Sequence, residues 1–471
     1  MYNIDHSCIS CGKCESICPV DAITMVEEKG EDGQGARPQI DLDLCTYCQA
    51  CATFCPAGAI TIEEPAPSNT WSGEKMAMIE RKARTGEVPV RGTSARRDLP
   101  DFDDLIVRCA QVSRPPIDHY REPCETKVTL GGRFAERPLE LKIPIYIGAM
   151  SFGAISKRAK LALARGAREA GSAVNTGEGG MLPEERENSD NLIVQYASGR
   201  FGVSAEYLQS ADAVELKIGQ GAKAGQGGML MASKVVEEIS KVRGTPEGAD
   251  LISPARHMDI VGPEDLKMKI RQLREIVDWE IPVIVKFAAG RVEEDVKIAA
   301  KAGADAVLVD GMQGGTGAAP HPTLEHAGIP TLAATTSAHR ALVEVGLREE
   351  VDLIVSGGLT SGADVAKALA LGANAVSLST AALVALGCRV CGLCNTGNCP
   401  YGITTQDPNL QERLDVEEGE RAVCNLLSVF TEEASMLAML AGKTSLFNLE
   451  REDLRALTVE ASEMADVGLV G

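Results

Sequence analysis

The sequence predicts an α/β protein: a (β/α)8 barrel preceded by a small cysteine-rich α+β unit. Three observations carry this. Eight short apolar runs rich in β-branched residues recur between helical patterns, from residue 143 to residue 380. Two C-x2-C-x2-C-x3-C-P sets stand near the N-terminus. A third cysteine group, GCRVCGLCNTGNCPYG (387–402), follows the eighth run directly. The chain of 471 residues has room for two or three domains, and 44% hydrophobic residues with few aromatics suit an α/β protein. A net charge of −20 disfavours nucleic acid and anionic membranes as partners. No apolar run reaches the roughly 18–20 residues of a membrane span. MYNIDHSCIS has no charged-then-apolar leader pattern, so a cytoplasmic location is expected. Fifteen cysteines in that compartment point to metal or cluster ligation.

In residues 1–65, Cys8, Cys11, Cys14 and Cys18 precede Pro19, and Cys45, Cys48, Cys51 and Cys55 precede Pro56. The two sets repeat at an offset of 37 residues (45 minus 8). This is the spacing of two-cluster ferredoxins, and zinc sites rarely share it. DAITMVEE and GAITIEE, after each Cys-Pro, read as short flanking strands. GEDGQGARP (30–38) reads as a polar surface loop, and EEPAPSNTWSG (63–73) as a Pro-rich linker.

Residues 66–140 read as a connecting segment. EKMAMIERKARTGE is an amphipathic helix, and PVRGTSARRDLPDFDDLIV is irregular. Cys109 and Cys124 are expected to be packed free thiols. Arg96 and Arg97 form a basic pair facing a partner or solvent.

The barrel is read over 141–402. Its strands are IPIYIGAM (143–150), SAVNTGE (172–178), LIVQYAS (192–198) and DAVELKI (212–218). The remaining four are IPVIVKFAA (281–289), DAVLVDG (305–311), DLIVSGG (352–358) and AVSLST (375–380). Continuous apolar runs suit parallel strands buried on both faces. Eight βα units in about 250 residues fit a barrel, with a doubly wound sheet as the alternative. Polar and glycine residues gather at the predicted strand ends, as a barrel's functional face requires. The glycines after strands six and seven let backbone N–H groups approach a phosphate. Lys286, inside the apolar fifth strand, is costly without an anion; a cofactor is the favoured partner and an internal ion pair the alternative. GQGAKAGQGG lacks the GxGxxG pattern opening a helix, so NAD(P)H is not expected to bind here. Residues 403–471 include LQERLDVEEGERAVCNLLSVFTEEASMLAMLAG, read as two helices packing on the barrel.

The N-terminal motifs resemble bacterial ferredoxins. That resemblance implies one 4Fe–4S cluster on Cys8, Cys11, Cys14 and Cys55, and another on Cys45, Cys48, Cys51 and Cys18. A second series resembles the FMN-binding synthase domain of glutamate synthases, over residues 140–410. It comprises GAMSFGAISK, NTGEGG, ASGRFGV, ELKIGQGAKAGQGG, LISPARHMDI, VIVKF, GGTGA, SGGL and the GC…CP loop. With the ferredoxin-like front end, the chain resembles the short archaeal-type subunit of that family.

The glutamate synthase resemblance implies FMN in the barrel mouth. Ala149, Met150 and Ser151 would lie along the isoalloxazine, with Lys217 and Lys286 at its polar edge. Gly315, Thr316, Gly317, Gly357, Gly358, Ser379 and Thr380 would surround the phosphate end. Lys223 and Arg243 match the family's carboxylate-binding positions for 2-oxoglutarate. Lys223, Arg243 and Lys217 form the implied catalytic group. A 3Fe–4S centre is implied on Cys388, Cys394 and Cys399; the additional Cys391 leaves a 4Fe–4S centre open. The longer synthases read GEGGED and GAKPGEGGQ, where this chain has GEGGML and GAKAGQGGM, so Met181 and Met229 replace polar groups in the expected substrate region. Their HHD is His257-Met-Asp259 here, with His257 either a site residue or a satisfied structural histidine.

The family's glutaminase domain uses an N-terminal cysteine, and its glycine-repeat β-helix lies beyond the barrel. Neither is expected in this chain, so both are expected as separate subunits in an oligomer. Ferredoxin or another protein is the expected electron donor. The implied activity is reduction of 2-iminoglutarate, formed from 2-oxoglutarate and ammonia, to L-glutamate. An N-methylglutamate synthase-type reaction with methylamine, and a non-catalytic electron-transfer subunit, are the alternatives.

Overall fold

The computed structural model describes residues 2–28, 35–62 and 73–471. Residue 29, residues 30–34 of the expected polar loop and 63–72 of the expected linker lie outside the described residues.

The N-terminal unit is built from two like halves. Each cysteine loop runs into a four-residue helix, Lys13–Ser16 in one and Ala50–Thr53 in the other. Gly12 and Gln49 enter these helices in the left-handed region, at φ 68° and φ 60°. Tyr2–Ile4 pairs antiparallel with Ile60–Ile62, and Ile23–Glu28 with Gly35–Ile40. Residues 35–38, expected in a loop, therefore belong to a strand. Their partner is the first half's own strand, whose register runs from Ile23↔Ile40 to Glu28↔Gly35.

The eight predicted barrel strands form and close in chain order. They are β1 (Ile145–Ile147), β2 (Ala173–Asn175), β3 (Asn191–Tyr196) and β4 (Ala213–Lys217), then β5 (Val283–Ala288), β6 (Ala306–Asp310), β7 (Asp352–Ser356) and β8 (Ala375–Leu378). All neighbours are parallel, and β8 returns to β1. The open doubly wound sheet is excluded by this closure.

Side chains alternate between the two faces of each strand. The inward set changes character along the barrel. Near the N-terminal ends it is apolar: Ala173, Ile193, Ala213, Ile284, Ala306 and Ile354. Two residues further along come Gln195, Glu215, Lys286 and Ser356, and Asp310 follows Leu308 in the same way. The outward set packs on the surrounding helices in one continuous core. Ser361 caps the helix Gly362–Ala370 through a capping box with Asp364; such a cap contributes about 1 kcal/mol.

Segment 66–140 does more than connect. The helix Gly73–Thr85 forms as expected. Val128–Leu130 and Leu139–Leu141 form a hairpin whose buried Leu130, Leu139 and Leu141 close the apolar end of the barrel. The stretch read as irregular contains two strands. Val90–Thr93 pairs with Thr316–Pro320 after β6, and Leu105–Val107 pairs with Leu454–Ala456. Both pairings are with distant segments, so no local periodicity announces them. Arg96 and Arg97 do not simply face solvent: both backbone N–H groups donate to the Glu325 carboxylate. Cys109 is exposed rather than packed, and Cys124 is half-buried.

The C-terminal pair of helices is a short Pro408–Gln411 and a 25-residue Val416–Leu440. By length and composition the latter could cross a membrane, which corrects the expectation that no stretch could. In this fold its buried Val423, Leu427, Phe430 and Ala434 pack against the barrel helices. A Cβ at Gly166 would fall 2.7 Å from Val423 Cβ, so glycine permits this close helix crossing.

Candidate functional site

A cavity of about 580 Å³ opens at the C-terminal ends of the barrel strands. Every residue assigned above to the flavin lines it. Ala149, Met150 and Ser151 leave β1 on one side. Gly315, Thr316 and Gly317 follow β6, Gly357 and Gly358 follow β7, and Ser379 and Thr380 follow β8. Gly357 and Gly358 hold φ at 110° and 75°. A Cβ on Gly358 would stand 2.5 Å from Gln313 Cβ, and one on Gly315 2.3 Å from Thr380 Oγ1. Side chains would fill this end; glycine leaves backbone facing open space, which suits a phosphate.

The floor of the cavity is the polar inward layer. Ser356 Oγ donates to Asp310 Oδ1 at 2.7 Å, and Gln195 Nε2 donates to Glu215 Oε1 at 2.5 Å. Lys286 Nζ lies 3.7 Å from Asp310 Oδ2. Burial lowers the proton affinity of Lys286, but Asp310 and Glu215 outweigh burial and hold its pKa above the usual lysine range. Lys286 therefore has an internal ion pair and also faces the cavity. Parallel register sets Lys217 beside it.

Lys217, Lys223 and Arg243 line the other side of the cavity. The sequence reading omitted their partner, Glu178. Lys217 Nζ sits 2.8 Å from Glu178 Oε2, and Ser253 Oγ donates to Oε1. Burial raises the Glu178 pKa, but Lys217, Ser253 and Arg243 prevail and bring it to about 2. Glu178 lies inside NTGEGG, so its own motif was the available signal. Arg243 Nη2 donates to Phe152 O at 2.8 Å, leaving Nε buried without a partner. Lys223 is 1% exposed, and its Nζ has no hydrogen-bond partner. Burial, and behind it the Lys217 ammonium, push Lys223 down to about 8. A buried ammonium and a buried guanidinium nitrogen, both without a hydrogen-bond partner and both in residues of the cavity wall, make a site for an anion.

Met229 lines the cavity, whereas Met181 packs against the core instead. His257 is not among the residues that line the cavity, and its Nδ1 is buried without a hydrogen-bond partner. Its ring stacks on Tyr196 at 5.8 Å, and its Nε2 bonds the Lys217 carbonyl at 2.8 Å, fixing the end of β4.

The cysteines gather in three places. Cys8, Cys11, Cys14 and Cys55 line one small cavity, bringing the last cysteine of the second set to the first three of the first. Cys48 neighbours Cys18 and Cys45, and Cys51 neighbours Cys48, Cys45 and Cys14. No three of the described cysteines converge to chelate a single ion. The repeat extends to hydrogen bonds on the sulfurs: Ala22 N–H donates to Cys18 Sγ at 3.2 Å, and Ala59 N–H to Cys55 Sγ at 3.4 Å.

The third group is the 387–402 loop. Cys388 neighbours Cys391 and Cys399, and Cys394 neighbours Cys388 and Cys399. Cys388 and Cys394 also line the main cavity. Cys391 packs against an apolar cluster of Ile17, Cys48, Ala50 and Leu393, and its thiol also neighbours Cys394 and Cys399. Tyr401 closes this seam, its ring 5.5 Å from Phe54 and its hydroxyl donating to Cys48 O at 3.3 Å. The loop thus stands between the N-terminal cysteines and the barrel cavity. Burial pushes the thiols of Cys388 and Cys394 up to about 11 and that of Cys391 to about 12. Thiolates there need a positive partner such as iron.

Residues 96–444 match the model described as the conserved region in glutamate synthase, and residues 7–59 match a 4Fe-4S dicluster domain. A glutamate synthase large subunit-like protein of Rhizobium meliloti is 48% identical over 86% of this chain and 96% of its own length. An archaeal-type glutamate synthase [NADPH] of Thermotoga maritima is 40% identical over 100% of this chain and 90% of its own. An archaeal glutamate synthase [NADPH] of Methanocaldococcus jannaschii is 42% identical over 85% and 84%. Among solved structures, a flavocytochrome b2 mutant with benzoylformate aligns with TM-score 0.51 at 16% identity, covering 80% of this chain and 83% of that one. The last likeness is one of fold.

Proposed function

Because the chain belongs to the glutamate synthase family, we propose that it is the synthase subunit of an archaeal-type glutamate synthase. It reduces 2-iminoglutarate, formed from 2-oxoglutarate and ammonia, to L-glutamate. The observation that carries this is the buried, unpartnered pair Lys223 Nζ and Arg243 Nε in a cavity that also has an open glycine-lined end.

FMN fits the cavity. The backbone around Gly315, Gly357 and Gly358 would hold its phosphate, Met150 and Ser151 would flank the ring, and Lys217 and Lys286 would lie at its polar edge. When bound, FMN would supply hydride chemistry, and the iron–sulfur centres one-electron transfer. Two 4Fe–4S centres fit the N-terminal cysteine sites. A three-iron centre on Cys388, Cys394 and Cys399 is the reading the resemblance supports, and Cys391, whose thiol neighbours Cys394 and Cys399, is available as a fourth ligand.

The chain's own residues do the rest. Lys223 and Arg243 bind and orient the carboxylates of the keto acid, by charge and by donated hydrogen bonds. Glu178 holds Lys217 in place through the 2.8 Å ion pair. Leu230 and Leu251, on the cavity wall, exclude water around the reacting carbon. A ferredoxin-type donor delivers electrons to the N-terminal unit. Ammonia comes from a separate glutaminase-type subunit or from solution, and a glycine-repeat β-helix subunit completes the oligomer in the cytoplasm.

The test is anaerobic reduction of the holoprotein followed by 2-oxoglutarate and ammonium. Flavin reoxidation with formation of glutamate is expected. Glutamine in place of ammonium should give none with this chain alone. A reduced flavin that ignores keto acid and ammonium together would refute the assignment.

A further inference from the structure

Lys234 lies in the segment between β4 and the helix Pro263–Ile276, between Lys223 and Arg243 in sequence. It is 3% exposed. Its Nζ donates to two carbonyls, Ala154 O at 2.7 Å and Cys394 O at 3.3 Å. Its stem runs under the cysteine loop, where a Cβ on Gly397 would sit 3.5 Å from Lys234 Cγ. The charged groups around it are the thiols of Cys394 and Cys399 on one side and Arg243 on the other.

Four other buried lysines are neutralised by carboxylates: Lys160 by Glu185, Lys217 by Glu178, Lys269 by Asp259 and Lys286 by Asp310, whereas Lys367 donates to the Phe102 carbonyl. Among the described residues no carboxylate pairs with Lys234. Two carbonyls satisfy its donors but supply no charge. A buried ammonium without an anion costs several kcal/mol. Lys223 shares this deficit, and a substrate carboxylate answers it. Lys234 is not among the residues that line the cavity, and the acidic groups that act on it are the thiols of Cys394 and Cys399.

We propose that Lys234 is the built-in counter-charge of the iron–sulfur centre held by Cys388, Cys394 and Cys399, and that its ammonium raises that centre's reduction potential. This rests on the reading of the loop as a cluster site. An iron–sulfur centre gains negative charge on reduction, so a fixed cation beside its thiolates stabilises the reduced form more than the oxidised one. Net charge and hydrogen bonding at the sulfurs are the protein's levers on such potentials. Low local dielectric strengthens the effect. Among the described residues, the small cavity around Cys8, Cys11, Cys14 and Cys55 has no lysine or arginine in its lining.

The experiment is a redox titration of the holoprotein followed by electron paramagnetic resonance, on wild type, Lys234→Gln and Lys234→Arg. Glutamine keeps donors for the two carbonyls and removes the charge; arginine keeps the charge. The barrel centre of Lys234→Gln should titrate at a lower potential than in wild type, with the N-terminal centres unmoved. Lys234→Arg should stay at the wild-type midpoint. An unchanged midpoint in Lys234→Gln overturns this inference alone. If the glutamine variant loses the centre, the arginine variant decides. A centre retained with arginine supports a required charge; loss in both makes the side chain a steric prop and overturns the inference. A wild-type protein carrying only N-terminal centres overturns the cluster reading of the loop, and this inference with it.

Discussion

The N-terminal cysteines and the 387–402 loop begin with the same C-x2-C-x2-C spacing but are built differently. The N-terminal sites draw on two like halves within the first 62 residues, repeated at an offset of 37 (45 minus 8). Their cysteines, their left-handed turns at Gly12 and Gln49 and their sulfur-bound amides at Ala22 and Ala59 are local and duplicated. The barrel loop is assembled from far-apart pieces. Gly92 is so close to it that a Cβ would fall 2.5 Å from Cys394 Cβ, Lys234 runs beneath it, and Tyr401 ties it to Cys48. A locally encoded site stands apart from the substrate. The assembled one touches everything, which is what a junction between donor and cavity requires.

Mutations should separate the two kinds of site. The largest effect is expected from Cys399→Ser. In a protein that folds and holds flavin, flavin reduction by a reduced ferredoxin-type donor should slow by orders of magnitude in rapid mixing. Cys391→Ser should leave both the centre and turnover nearly intact; conversion of a four-iron to a three-iron spectrum would assign Cys391 as a ligand instead. Next in size is Lys223→Met. Removing one member of a buried charge site costs about 2–5 kcal/mol, roughly 30-fold or more in keto-acid affinity, which calorimetry reads directly. N-terminal iron and sulfide should be unchanged in that variant.

Smaller still is a pH effect. Burial pushes free Lys223 down to about 8, and a bound carboxylate favours its charged form. Affinity for 2-oxoglutarate should therefore be constant below that pH. It should fall by up to about tenfold per unit above it, with proton uptake on binding. Lys223→Met should lose this slope; if the slope persists, another group carries it. The smallest effect is expected at the seam. Tyr401→Phe removes one hydrogen bond to Cys48 O, worth about 1 kcal/mol, and should slow flavin reduction only a few-fold.

The same contrast explains what was legible in the sequence. Strand period, glycine turns and cysteine spacing are local, so all eight barrel strands and the N-terminal cysteine sets could be read directly. The residues gathered around the cavity came from the resemblance, motif by motif. What escaped lies in long-range pairing. Val90–Thr93 finds its partner at Thr316–Pro320, and the hairpin Val128–Leu141 finds its purpose only against the barrel floor. Glu178 was visible inside NTGEGG but not as the partner of Lys217, 39 residues away. Lys234 has no pattern of its own; only the fold brings it to Cys394, 160 residues downstream.

The central claim is that electrons enter at the N-terminal cysteines and reach the cavity through the barrel loop. Single-turnover rapid mixing of the wild-type holoprotein with a reduced ferredoxin-type donor tests it most directly, with cluster and flavin absorbance followed separately. The account predicts cluster reduction first and flavin reduction after it, at a rate independent of donor concentration once the clusters are filled. Flavin reduction that precedes the clusters, or proceeds while they stay oxidised, would contradict it.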